Sequence, residues 1–333
     1  MQINQVDNAV FNICCCQFKE KALSFVEKVV YTVSRLYLSF FPRSEKETNL
    51  VQDVLSGNFD RVWSKIEKGA NIEFLDGNGY TPLLAAIDQD YLEFAEKLLE
   101  NGAEVNHENQ WGTSPLLKTV EKAYDYFVSV LLEKGACVNH QDQRGRTALI
   151  IATEKGCIDT CVKLIENGAR INQVDKNGQS ALMRAILYGQ EEIAKKLIDL
   201  GASIHQVDAN GNNVLMLSLQ HCNLDFFKDL VEAGADVTHT DHQGRSVLLK
   251  AVSKNSIEHT RLLLQAGADV NEVDNFGVSP LMRSICQENI DISRELIQKG
   301  ANVQALDRDG NTMFALALKH GQEALLKELE EEN

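Results

Sequence analysis

Three kinds of side chain in this 333-residue sequence could carry chemistry. The first is the thiol. Of eight cysteines, Cys14, Cys15 and Cys16 are adjacent, and Cys157 and Cys161 stand one helical turn apart. Three neighbours in sequence cannot all face one ion on a regular element, and no Cys-x-x-Cys pair exists, so a zinc site is not expected. No base lies near Cys157 or Cys161 in sequence, and they read as core thiols. The rest are scattered, which suits a reducing compartment rather than a disulfide framework.

The second is the imidazole. His107, His140 and His239 share one register, at spacings of 33 residues or a multiple of it. Units in such a stack lie roughly 10 Å apart, about one helix diameter, too far for a shared metal. There is no Gly-rich phosphate loop and no nucleophile elbow. No catalytic residue, metal ligand or cofactor is therefore expected, and the chain does not read as an enzyme. The third kind is aromatic and guanidinium groups beside turn glycines: Tyr80, Trp111, Arg144, Arg146, Arg245 and Phe276. Trp, Tyr and Arg dominate the energetics of protein interfaces, so these positions form a partner-binding candidate. Lys118, Arg184, Lys250 and Arg283 add a basic row just after the turns.

A strict repeat must position these groups. Gly-Ala pairs recur at 69, 102, 135, 168, 201, 234, 267 and 300 without an insertion. In the same register stand Asp76, Asn109, Asp142, Asp175, Asp208, Asp241, Asp274 and Asp307, each followed three residues later by glycine. A fixed period of this length means stacked units. Within each, a hydroxyl or amide (Thr81, Ser114, Thr147, Ser180, Asn213, Ser246, Ser279, Thr312) precedes an apolar run as a helix cap. Pro82, Pro115 and Pro280 follow at the first helical turn, where a missing N–H is harmless. The next Gly-Ala stops a second helix.

Period, caps and turns together resemble the ankyrin-repeat family. The array is similar to those of type IV-secreted bacterial effectors. The resemblance implies an all-α solenoid of helix pairs with β-hairpin loops, binding protein partners on hairpin tips and inner helices. Residues 44–75 read as a degenerate capping repeat, 76–306 as seven repeats and 307–333 as a C-terminal cap. The sequence departs from the family's Thr-Pro-Leu-His pattern. The histidine place holds Leu84, Leu117, Ile150, Met183, Met216, Leu249, Met282 and Ala315, so apolar packing is expected to replace the family's inter-repeat histidine bonds.

Residues 1–43 lie outside the repeat. Phe18, Ala22, Phe25, Val29, Val33, Leu36 and Phe40 recur at helical spacing and predict an N-terminal amphipathic helix ending before Pro42. It has three possible coverings: the first repeat, a partner helix, or a membrane surface, where Cys14, Cys15 and Cys16 would be lipidation sites. A secretory signal is not seen, and no apolar stretch is long enough to span a bilayer. The net charge of −15 opposes a nucleic-acid partner. Turns and first helices are nearly neutral and the other halves carry the acidity, so an acidic, apolar partner is expected on the inner face.

The sequence thus predicts a non-enzymatic scaffold in the cytoplasm. The narrower version is a secreted effector in a host cytoplasm, suggested by the Glu-rich end 323–332 and the amphipathic N-terminus. The alternative is a peripheral membrane adaptor anchored through residues 1–43.

Overall fold

The computed structural model describes residues 50–306, 308 and 310–321. The N-terminal helix, Cys14–Cys16 and the Glu-rich end lie outside them. The described chain is all-α and forms two compact units divided after Arg170. The first unit holds α1 (Leu50–Leu55), α2 (Phe59–Glu67), α3 (Pro82–Asp88), α4 (Leu92–Glu100), α5 (Pro115–Glu121), α6 (Asp125–Glu133), α7 (Ala148–Lys155) and α8 (Ile158–Glu166). The second holds α9 (Ala181–Leu187), α10 (Glu191–Asp199), α11 (Val214–His221), α12 (Leu224–Glu232), α13 (Val247–Ser253), α14 (Ile257–Gln265), α15 (Pro280–Cys286), α16 (Ile290–Gln298) and α17 (Met313–Lys319).

Each first helix begins where its cap was expected. The side chains of Thr81, Ser114, Thr147, Ser180, Asn213, Ser246, Ser279 and Thr312 each accept the backbone N–H three residues on. These short helices are buried nearly all round. Alanines at 85, 86, 152, 185 and 251 let neighbours approach. The longer second helices bury one face. They end where glycine takes a left-handed turn: the N–H of Gly102 (φ +89°) reaches Leu99 O and that of Ala103 reaches Leu98 O. At the start of the array, Phe59 stacks on Phe94 (centroids 4.4 Å) and Trp63 meets the same ring edge-on.

The hairpins are tighter than β-hairpins. Among the described residues the only β-pairings are the single bridges Thr240–Ser246 and Leu306–Thr312. The marker aspartate closes each turn itself. Asp142 donates its N–H to Arg146 O, while its Oδ1 accepts the N–H groups of Arg144 and Arg146 at 2.9 and 2.8 Å. Asp76, Asn109, Asp175, Asp208, Asp241 and Asp274 repeat this arrangement. A side chain that satisfies two tip donors makes longer strands unnecessary. Successive tips also touch. A Cβ on Gly178 (φ +70°) would lie 2.9 Å from Ala209 N, so the close approach there fits only glycine.

Leucine, isoleucine and methionine at the family's histidine place are buried, from Leu84 to Met282; Ala315 is exposed. Apolar packing thus fills the place, but it does not act alone. His107, His140 and His239 each hydrogen-bond the turn-glycine carbonyl of the preceding repeat: Gly79, Gly112 and Gly211. At the hairpin base, Asn106 accepts from Cys137 N–H and donates to Gly135 O; Asn139 and Asn271 do the same one repeat on. Glu73 and Asn172 supply the acceptor alone.

Candidate functional site

Tips closed by their own aspartate leave the tip side chains to point outward. In the first unit, Trp111 is 47% exposed and meets Tyr80 edge-on at 6.2 Å and 77°. Burial holds the half-buried Tyr80 phenol above its ordinary pKa, so it stays neutral. On the next tip, Gln143 N–H bonds Trp111 O at 3.0 Å, which joins the tip of Trp111 to that of Arg144. Arg144 is exposed, and no carboxylate among the described residues pairs with its guanidinium. Tyr80, Trp111 and Arg144 thus occupy three consecutive tips.

Arg146 does something else. Its Nε binds Asp142 Oδ2 at 2.8 Å and its Nη1 reaches Glu154 at 3.4 Å, which braces the hairpin. In the second unit, Arg245 is bound to Asp241 through Nε and Nη2 at 2.9 and 2.7 Å. The basic row is likewise paired within the protein. Lys118 binds Asp88 (2.9 Å) and Glu121, Arg184 binds Asp175, and Lys250 binds Asp241 (2.8 Å). Burial works to raise the Asp241 pKa, but hydrogen bonds from Arg245 and Lys250 prevail and hold it at about 2. Burial brings the Lys250 ammonium below its ordinary value, outweighing the pull of Asp241.

The neutrality of the inner half is therefore largely internal pairing rather than a free basic surface. Sequence carried the signal: Asp142–Arg146 and Asp241–Arg245 stand four residues apart, Asp175–Arg184 and Asp241–Lys250 nine apart. Arg283 repeats the nine-residue spacing from Asp274 without such a bond, and its Nε is buried without an acceptor. Phe276 is 63% exposed on its tip.

Three of the described thiols are held protonated. Burial raises Cys157, lifts Cys161 to about 11 and Cys222 to about 12. Among the described residues, no group of histidine, cysteine and carboxylate side chains could hold a metal, and no helix is long and apolar enough to cross a membrane.

No curated protein matches the chain. The family model for ankyrin repeats in three copies matches residues 98–175, 124–208, 156–241, 200–274 and 248–333, and that for a single ankyrin repeat matches 78–110. Repeat register, asparagine and aspartate hairpins and these matches over most of its length agree: the chain belongs to the ankyrin-repeat family.

Proposed function

We propose that the chain is a non-enzymatic scaffold that holds a protein partner on the tips of its first unit, through Tyr80, Trp111 and Arg144. Ankyrin repeats generally mediate protein–protein interaction. The observation that carries the assignment is Trp111: a large aromatic nearly half exposed, buttressed by Tyr80, with the unpaired guanidinium of Arg144 on the next tip. Arg146 braces a hairpin of this face from within; Arg245 does the same for a hairpin of the second unit. Phe276 is the corresponding exposed ring of the second unit.

The delivered-effector reading rests on residues 323–332 and the amphipathic N-terminus, and the membrane-adaptor reading on residues 1–43; both draw on sequence alone. The test is affinity capture from a eukaryotic lysate with mass spectrometry. The intact chain is run beside a Trp111→Ala, Arg144→Glu variant whose folding is confirmed by circular dichroism. A partner held by the first and lost by the second is the expected result. Equal capture by both removes the tip assignment. Recovery in a membrane fraction that is lost on deleting residues 1–43 would favour the adaptor instead.

A further inference from the structure

The second unit carries a surface of different chemistry. The residue before each marker aspartate lies on the hairpin arm and points outward. In the second unit this place is apolar and exposed at Val207 (42%), Val273 (48%) and Leu306 (58%), with the half-buried Thr240 between. The first unit has the half-buried Leu75 and then the polar Glu108 and Gln141 there; Glu108 meets His140 and Gln141 donates to Gly145 O. Phe276 extends the apolar row on the tip side. Backbone bonds from Ala209 to Asn177, His242 to Asn210 and Asn275 to Gln243 tie the tips of this unit in series as far as that of Phe276, so the apolar places follow one another with Thr240 as a polar break.

The bases of the hairpins below the row are acidic. Asp236 and Asp269 turn their carboxylates onto the N–H groups of Thr238 and Asn271. Neither has a salt-bridge partner among the described residues, and the same holds for Glu272. Burial first, and then the charges of Asp269 and Asp236, raise the Glu272 pKa against the pull of His239, while Asp236 itself is held low by its hydrogen bonds from Thr238 and by the His239 and His205 charges. Among the described residues, the exposed cations Lys176 and Arg308 both lie on the tip side of the row. The surface is thus apolar along its middle and acidic along one edge.

Spacing selects the occupant. Packed helices stand about 8–10 Å apart, so equivalent places recur at about that distance. An α-helix advances about 10.5 Å in seven residues, and residues seven apart share a face. In a strand, same-face residues recur at about 6.6 or 13 Å, out of step with the row. We propose that the hairpin arms of the second unit dock an amphipathic helix of a partner protein, with apolar residues every seventh position and lysine or arginine along the flank that faces Asp236, Asp269 and Glu272. This goes beyond the first-unit tip patch and does not depend on it.

The probe is a fluorescein-labelled, alanine-rich helical peptide with leucine at every seventh position and lysines on one flank, titrated with the full chain and read by anisotropy. Saturable binding is expected. It should weaken at least about tenfold in a Val273→Glu, Leu306→Glu variant and in an Asp269→Lys, Glu272→Lys variant, each verified as folded by its melting curve. Trp111→Ala, Arg144→Glu should leave it unchanged, so the two surfaces fail independently. The glutamate variant is the decisive one, because it makes an already acidic chain more acidic. Attraction to net charge alone would tighten binding there, and unchanged or tighter binding overturns the proposal. So does an absence of saturable binding, or equal binding of a peptide whose flanking lysines are replaced by glutamate.

Discussion

At the scale of single residues, two arginines two positions apart have opposite roles. Arg144 is a free tip group; Arg146 is part of the hairpin's frame. Charge reversal at Arg144 should leave stability within about 0.5 kcal/mol. Arg146→Glu would set a second carboxylate against the mostly buried Asp142 and should cost about 1–3 kcal/mol. Urea denaturation of the two variants separates them; equal midpoints would remove the bracing role. His259 is a second informative residue. It takes a core place held elsewhere by Phe94, Phe127 and Phe226, is only 6% exposed, meets Phe227 edge-on at 4.8 Å and bonds Ser256 through Nδ1, while its Nε2 has no partner. Burial first, and the Lys254 charge second, lower its pKa against the weaker pull of Glu258. The unfolded chain therefore binds this proton more readily than the folded one. The stabilising difference is complete above the ordinary histidine value and declines as pH falls below about 6.5, by up to about 1.4 kcal/mol per pH unit, until the folded-state pKa is reached. Denaturation at a series of pH values should show this slope, and His259→Phe should remove its share; an unaltered slope would show that another group titrates.

At the scale of elements, the joints between repeats differ. Amide or carboxylate clamps join them at Glu73, Asn106, Asn139, Asn172 and Asn271. His205 and Thr238 hold the same register and accept no such N–H; Thr238 bonds Asp236 within its own turn. The stretch around α11 to α14 thus lacks these clamps, and its repeats are joined instead by bonds such as His239 to Gly211 O and Asn213 to Asp236 O. Thr238→Asn should restore a clamp and add about 0.5–1.5 kcal/mol, read as slower amide exchange at Asp269. Unchanged exchange would show that the clamps contribute little. The turn between the two helices of a repeat is a separate site of strain. Gly57, Gly156 and Gly189 occupy its left-handed residue, but Ala123 does so at φ +59°. Ala123→Gly should raise the melting temperature, stabilising by about 0.5–1 kcal/mol, because the backbone strain relieved exceeds the entropy glycine adds to the unfolded chain. Caps, turn glycines and helix stops were legible in sequence because each is settled within about four residues. The clamps and histidine bonds join partners 28 to 31 residues apart, and only the repeat register could have suggested them.

At the scale of the whole molecule, each repeat is bonded chiefly to its neighbours, so stability is close to a sum of local terms. Asn106→Ala should lower protection at Cys137 and leave amides of the second unit near their original rates. A loss spread evenly through both units would argue for long-range coupling instead. The candidate site was legible only in part. Trp111 and Phe276 stood out as aromatics on turns, and the structure exposes both. Charge was misleading, because a list of cations does not say which carboxylates they face, and Lys118, Arg146, Arg184, Arg245 and Lys250 all face one. An acidic partner is correspondingly less favoured than the sequence suggests.

The self-closing hairpin has an evolutionary consequence. Asp76, Asn109, Asp142 and their counterparts bind backbone N–H groups, and the side chains two places on, such as Trp111 and Arg144, take no part in the closure, unlike Arg146 at the turn's end. Selection on folding therefore acts on the aspartate and the glycine and is nearly blind to the positions between them. A descendant of this gene could exchange Trp111 or Arg144 for almost any other residue, acquire a new partner and keep its fold.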